Sequence, residues 1–211
     1  MKKLIPIIIL VLIGVTAYRR VVGNYNQLVT LDESVQTSRS QVENQYQRRA
    51  DLIPNLVNTV RGAADQELRV LEQVTQARAS ATQTTVDIDD VESMAQYQAA
   101  QGELSSALGR LLVSVEAYPQ LQANQNFLEL QAQLEGTENR ITTERMRYNE
   151  MVRTFNTRIR TFPTTLIASI FGFERAVLFE AQAGAETAPE VEFFENDTDT
   201  DADVLPVEGS M

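Results

Sequence analysis

The sequence predicts an all-α fold: a long antiparallel helical bundle of three to four helices with coiled-coil-like packing, following an N-terminal transmembrane helix. Three observations carry this reading. Lys2 and Lys3 precede an uncharged, mostly aliphatic run from Leu4 to Tyr18. Further along, Phe127, Leu134, Ile141, Tyr148, Phe155 and Phe162 recur at every seventh position, the period of helices packed side by side with a left-handed twist. Finally, the 211 residues include no Cys, no His and no Trp, which removes thiol nucleophiles, disulfides, zinc-finger spacings and histidine bases together. The sequence also lacks a phosphate-cradling glycine loop, a nucleophile elbow and calcium-loop spacing. The expectation is therefore a protein without catalytic residues, cofactor or metal.

The N-terminal element is read from its apolar residues Leu4, Ile5, Ile7, Ile8, Ile9, Leu10, Val11, Leu12, Ile13 and Val15. Two readings compete. A short basic start, an apolar centre and a small residue at Ala17 suit a cleaved signal peptide. As a membrane anchor, the run to Tyr18 gives only about 22 Å of helix against a hydrocarbon core of about 30 Å. Snorkelling of Arg19 and Arg20 lets the span reach Val22, about 28 Å. The anchor is favoured because the helical pattern continues directly into the next segment. The expected organisation is an anchor at 1–22, a helical bundle at 23–184 and an acidic, largely disordered tail at 185–211. The free amino terminus tips the orientation towards a cytoplasmic N-terminus, with the bulk of the chain outside the cytoplasm.

Charge separates the two parts. The formal net charge is −11, but four of the 18 cations precede residue 21 and no acid does, leaving 14 cations against 29 acids, a balance of −15. Such a domain should repel nucleic acid and anionic lipid headgroups, since phosphate binding needs clustered cations. The membrane and other protein chains, including copies of this one, are the expected partners. Nucleic acid and small-molecule substrates are not.

In the first bundle helix, Val21, Leu28, Val35 and Val42 recur at sevens, and the phase resumes after Arg49 with Leu56, Ala63 and Val70. A second row holds Tyr46, Ile53, Val60 and Val74. Phase kept across Pro54 predicts one kinked helix over 24–80, roughly 85 Å long. The alternative is a fold back near Gly62 into two antiparallel halves, since the third helix, over 124–162, spans only about 58 Å. The unbroken phase favours the long helix, whose partners would then place residues 163–173 at the end far from the membrane.

The Thr- and Asp-rich stretch 81–90 reads as a connection, with Asp89 and Glu92 as a capping pair for a second helix. That helix carries Val91, Met94, Leu104, Leu108, Leu111, Val115 and Tyr118 and stops at Pro119. Gly102 and Gly109 share a face on which a neighbouring helix could come close. The third helix starts near Asn124 and stops at Pro163. After it, TTLIASIFGF either caps the core or lies exposed, with Ile170, Phe171 and Phe173 as a candidate contact with a partner or the membrane. ERAVLFEAQAG reads as a short helix.

The segments YNQLVTLDE, VENQYQRRADLIPNLV, YPQLQANQNFLELQAQLEGTENRI, ERMRYNEMVRTFNTRIRTFP and LIASIFGF, in this order behind a short apolar segment, resemble the bacterial LemA family. The likeness runs from about residue 22 to about residue 193. It implies an antiparallel helical bundle on a single N-terminal membrane helix; with the orientation favoured above, the expected location is the bacterial inner membrane with the bulk of the chain periplasmic. It implies no enzymatic activity or cofactor. It does imply a loose association with envelope stress and its membrane proteases, and in some relatives with membrane remodelling.

ENQYQRRADLIPNLVNTV contains the sequence's main irregularity. Arg49 takes the heptad position held elsewhere by Leu28, Val35, Val42 and Leu56, and Pro54 frees the carbonyl of residue 50. An inward Arg49 needs a carboxylate, for which Glu138 is the first candidate and Asp51 or Glu144 the next. Arg49, Asp51, Pro54 and Glu138 would then form a structural polar joint that fixes helix register. Equally open is a surface position, with Arg48 and Arg49 straddling the helix edge. A rival class, a carboxylate-dependent hydrolase or lyase using Glu135, Glu138 and Glu144, would need one of these acids unpaired in a solvent-filled pocket. Set beside it is a non-enzymatic, membrane-anchored scaffold of the cell envelope that self-associates, or serves as adaptor of a membrane protease.

Overall fold

A computed structural model describes residues 4–62 and 68–180. Among them it is all-helical: α1 (Leu4–Arg61), α2 (Leu68–Gln83), α3 (Val91–Val115), α4 (Pro119–Gln122), α5 (Gln125–Arg160) and α6 (Thr164–Phe171). The architecture is an antiparallel bundle grown on one long helix. α1 crosses residues 22 and 23 without interruption, so the apolar segment and the bundle share a single helix.

The long kinked helix over 24–80 is not what forms. α1 ends at Arg61, with Gly62 making the last helical bond to the Asn58 carbonyl, and α2 returns antiparallel to it. Arg78 of α2 reaches back to Ala50 of α1, which fixes the direction of the return. The seven-residue phase misled because each helix facing the same core keeps that period by itself. Val60 and Val74 lie two heptads apart and both are buried, although they stand on different helices. Ala63, in the same phase argument, lies outside the described residues.

α1 and α5 form the longest pairing, running antiparallel from Arg158 beside Asn24 to Glu138 beside Arg49. The heptad positions supply its core: Leu28, Val35, Val42 and Leu56 of α1 meet Phe127, Leu134, Ile141, Tyr148 and Phe155 of α5, all buried. The pattern fails at its ends. Val21 is 42% exposed and Phe162 is 76% exposed, since α1 there precedes the bundle and α5 has stopped at Arg160. Val91, at the first turn of α3, is likewise exposed.

Two capping groups start the helices. Asn124 accepts from the amides of Asn126 and Phe127 at 3.0 and 3.3 Å, which opens α5. At α3 the cap is Asp90, not Asp89, and it accepts from Glu92 and Ser93. Gly102 and Gly109 do not mark a close approach within the chain, because a Cβ placed on either meets nothing within 4 Å.

Two apolar clusters fill the interior. One is built from α1, α2, α3, α4 and α5 and includes Ile53, Leu56, Leu71, Val74, Leu104, Leu111, Leu121 and Phe127. The other takes in Leu28, Val35, Val42, Met94, Tyr148, Phe155, Ile167 and Phe179. It uses the 84–90 connection, α6 and residues 173–180 where the first uses α2. Residues 174–180 are not helical. Gly172, at φ 74°, ends α6 by letting the Phe173 amide bond back to the Ala168 carbonyl, and the chain then runs extended as a strap along α5.

Acidic side chains gather beside this lower part. Burial pushes the Asp89 carboxyl above its ordinary range, and Asp87, Asp32 and Glu174 add to the effect while Arg39 opposes it. A carboxyl whose folded pKa is raised binds its proton more tightly in the folded state. Stability therefore falls as pH rises from the unfolded value, about 4, through the folded one. Asp89→Asn should raise the melting temperature at neutral pH slightly, because the exposed carboxylate is largely screened by water, and the gain should vanish below about pH 4. Thermal melts of both chains across that range check it.

Candidate functional site

Between the two apolar clusters lies a polar layer, and Arg49 is its centre. The side chain stands between Tyr46 and Ile53, both buried, and is itself only 1% exposed. Its Nη1 donates to the Glu138 carboxylate at 2.9 Å and to the Ser105 hydroxyl at 2.7 Å, and its Nη2 donates to the Gln101 side-chain oxygen and backbone carbonyl. The guanidinium also lies 5.1 Å from the Tyr46 ring centroid. Nε has no partner. Gln101 in turn donates to the carbonyl of Ala81, near the end of α2. The layer thus ties α1, α2, α3 and α5 together at the level where α2 stops.

Of the residues expected at this joint, the structure brings Arg49 and Glu138 together and leaves Asp51 and Pro54 facing solvent. Asp51 accepts from Gln47 on its own helix at 2.8 Å. Pro54 acts one step removed. Having no N–H, it frees the Ala50 carbonyl, and Arg78 Nε donates to that oxygen at 2.7 Å from α2. The proline that weakens α1 therefore creates the acceptor that docks α2. Arg78→Met should leave this carbonyl unpaired beside the core at a cost of about 1–3 kcal/mol. Pro54→Ala in the same chain should recover much of it by restoring the helical bond, as denaturant unfolding would show.

Gln101 and Ser105 had no place in the sequence argument, although a signal for one exists. Met94, Gln101, Leu108 and Val115 stand at sevens, so Gln101 interrupts a row of α3 as Arg49 interrupts one of α1. Beside the layer an open cleft of about 190 Å³ is lined by Arg39, Glu43, Tyr46, Thr85, Tyr97 and Gln101, among others. Its charged groups are mutually engaged: Arg39 pairs with Glu43 at 2.9 Å and donates to the Val86 carbonyl. Burial raises the pKa of the Tyr46 and Tyr97 hydroxyls above the ordinary phenol value, so neither is poised as a base.

The three carboxylates of the hydrolase reading are occupied and separate. Glu138 pairs with Arg49, Glu144 accepts from Arg147 at 2.7 Å, and Glu135 accepts from Gln131. No group of acids that could hold a metal occurs among the described residues.

At the opposite end of α5, α6 folds against α1 and α5 beside the start of the bundle. Thr164, Ile167 and Ala168 are buried, and the Thr164 hydroxyl donates to Asn24, which also accepts from Arg158. Ile170 and Phe171 face outward at 77% and 53% exposure, whereas Phe173 packs inward against Tyr25 and Phe155. Residues 163–173 therefore sit next to the apolar segment and not at the far end. From Ile7 to Val15 that segment is exposed along its length, and α1 is long and apolar enough to cross a membrane. Leu4 and Ile5 lie on the helix, but their side chains are outside the described residues.

The strap was not anticipated as a strap. Asn149 holds both the amide and the carbonyl of Phe179, at 2.9 Å each, and Asn156 does the same for Ala176 at 3.1 and 2.8 Å. Tyr148 adds a bond to the Val177 carbonyl. Backbone claimed in this way cannot also close helical turns, which is why ERAVLF is extended.

The sequence profile described as the LemA family matches residues 38–193. Among curated proteins, magnetosome protein MamQ 2 of Paramagnetospirillum magneticum is 29% identical over 182 residues, covering 77% of this chain and 67% of the relative. Protein LemA of Metamycoplasma hominis is 24% identical over 160 residues, covering 76% and 70%. With most of its length inside the family profile, the chain belongs to the LemA family.

Proposed function

We propose that this chain is a non-enzymatic, membrane-anchored scaffold of the bacterial cell envelope, held in the inner membrane by residues 1–22 with the 23–184 bundle and the 185–211 tail outside the cytoplasm, and that it binds protein partners including copies of itself. One observation carries the reading: the apolar segment and the bundle are one helix, so that whatever holds the segment also holds the domain. Glu135, Glu138 and Glu144 each have a partner of their own and form no shared constellation, which supports a role without catalysis. Adaptor work for a membrane protease is one form such a scaffold takes.

The test is fractionation followed by mass. The full-length chain should stay in the membrane pellet through an alkaline wash, and its detergent-extracted particle should hold more than one 23.6 kDa chain. A soluble product beginning at Tyr18 would overturn the anchor. A strictly monomeric particle would overturn self-association.

A further inference from the structure

We infer that α6 is a foot that lies in the headgroup layer of the bilayer from which α1 emerges, with Phe162, Leu166, Ile170 and Phe171 entering the lipid. This rests on the reading of residues 1–22 as a membrane span. Those four side chains are 76%, 56%, 77% and 53% exposed. Leu166 and Ile170 stand four residues apart on α6 and share its outward face; Phe162 is exposed in the turn before α6, and Phe171, its last residue, rests on Tyr25 with half of its surface still open. The opposite face, through Thr164, Ile167 and Ala168, is buried in the bundle. A helix buried on one side and apolar on the other has a second apolar neighbour to find.

Position decides which neighbour. The apolar run ends at Val22, and α6 is fastened at the next residues: Thr164 donates to Asn24, and the Phe171 ring lies 4.7 Å from Tyr25 between centroids. Residues 4–22 give about 28 Å of helix, enough to fill a hydrocarbon core of about 30 Å. Asn24 and Tyr25 then stand at its boundary, and the headgroup zone above is about as thick as a helix is wide. An element fixed at that height is inside the interface.

Charge agrees. The chain beyond residue 20 is strongly acidic, yet Arg160 and Arg175 flank α6, Arg19 and Arg20 precede its docking site, and all four are exposed. Glu174 is the sole acid from residue 151 to 175. Such a foot fits anionic phospholipid in the same membrane as the anchor.

The absence of cysteine makes a direct test available. Single cysteines at Val11, Val113 and Ile170 in the full chain, each carrying an environment-sensitive fluorophore, are reconstituted in phosphatidylcholine–phosphatidylglycerol vesicles with or without lipid nitroxides. Ile170→Cys should emit to the blue and lose about half its intensity to a nitroxide near the headgroup, while Val113→Cys, exposed on α3, should be unaffected. Leu166→Cys serves as a second position should the first misfold. If Val11 is quenched and neither position 166 nor 170 is, the foot is wrong and the anchor stands. A blue-shifted but unquenched label at 170 means that a protein, such as a second copy, covers α6, which overturns the lipid assignment. Loss of quenching at Val11 as well removes the anchor and the foot together.

Discussion

Arg49→Ala should destabilise the domain by about 3–5 kcal/mol, the largest loss expected of any single alanine substitution in the polar layer. Arg49 heads the large side chains that are fully buried, so truncation empties a volume lined by Tyr46, Ile53 and their neighbours. It also strands the Gln101 side-chain oxygen, which is buried and accepts from Arg49. Glu138 behaves differently, because its side chain is 45% exposed and can turn to water once the cation is gone. Glu138→Gln should therefore cost only about 1 kcal/mol or less, and Arg49→Met, which keeps most of the volume, should fall between the two. Denaturant midpoints at constant slope provide the measurement. A loss below about 1 kcal/mol for Arg49→Ala would mean that the guanidinium finds water in the folded state.

The second large effect should appear at the strap. Asn149 and Asn156 together make four hydrogen bonds to the backbone of Phe179 and Ala176. At about 0.5–1.5 kcal/mol each, their loss in Asn149→Ala/Asn156→Ala removes about 2–6 kcal/mol of local stability. Hydrogen exchange at the Ala176 and Phe179 amides should accelerate by about 30-fold or more, while amides in the middle of α5 stay protected. Unchanged protection at Phe179 would show that its ring, packed on Tyr148 at 5.1 Å between centroids, is enough to hold the strap.

Much of this was legible in the chain. The rows at sevens located the α1 and α5 cores, and Asn124 marked the start of α5, because a helix face and a cap are properties of adjacent residues. Connectivity was not. Whether the phase through Leu56, Ala63 and Val70 belongs to one helix or two depends on packing against α3, which a heptad count does not contain. The consequence was large, since it decided whether LIASIFGF sits near the N-terminal apolar segment or far from it. The strap was hidden for a similar reason. Its residues have helical propensity, and only Asn149 and Asn156, seven apart on another element, turn them into extended chain. Arg78 was unreadable without knowing that α2 returns past Pro54.

The unbroken α1 has a mechanical consequence. From Gly23 to Arg61 it is a stiff arm of about 58 Å, with the Arg49 layer clamping its neighbours to it near the outer third. If residues 4–22 span the bilayer as proposed, a tilt of about 10° in that segment would sweep the far tip through about 10 Å, with no flexible linker to absorb the movement. Local changes in bilayer thickness, which tilt spans of mismatched length, would in this way be displayed at a distance as the position of the α3–α4 end. The domain is then less a cargo carried by its anchor than the pointer of a gauge whose pivot is the membrane.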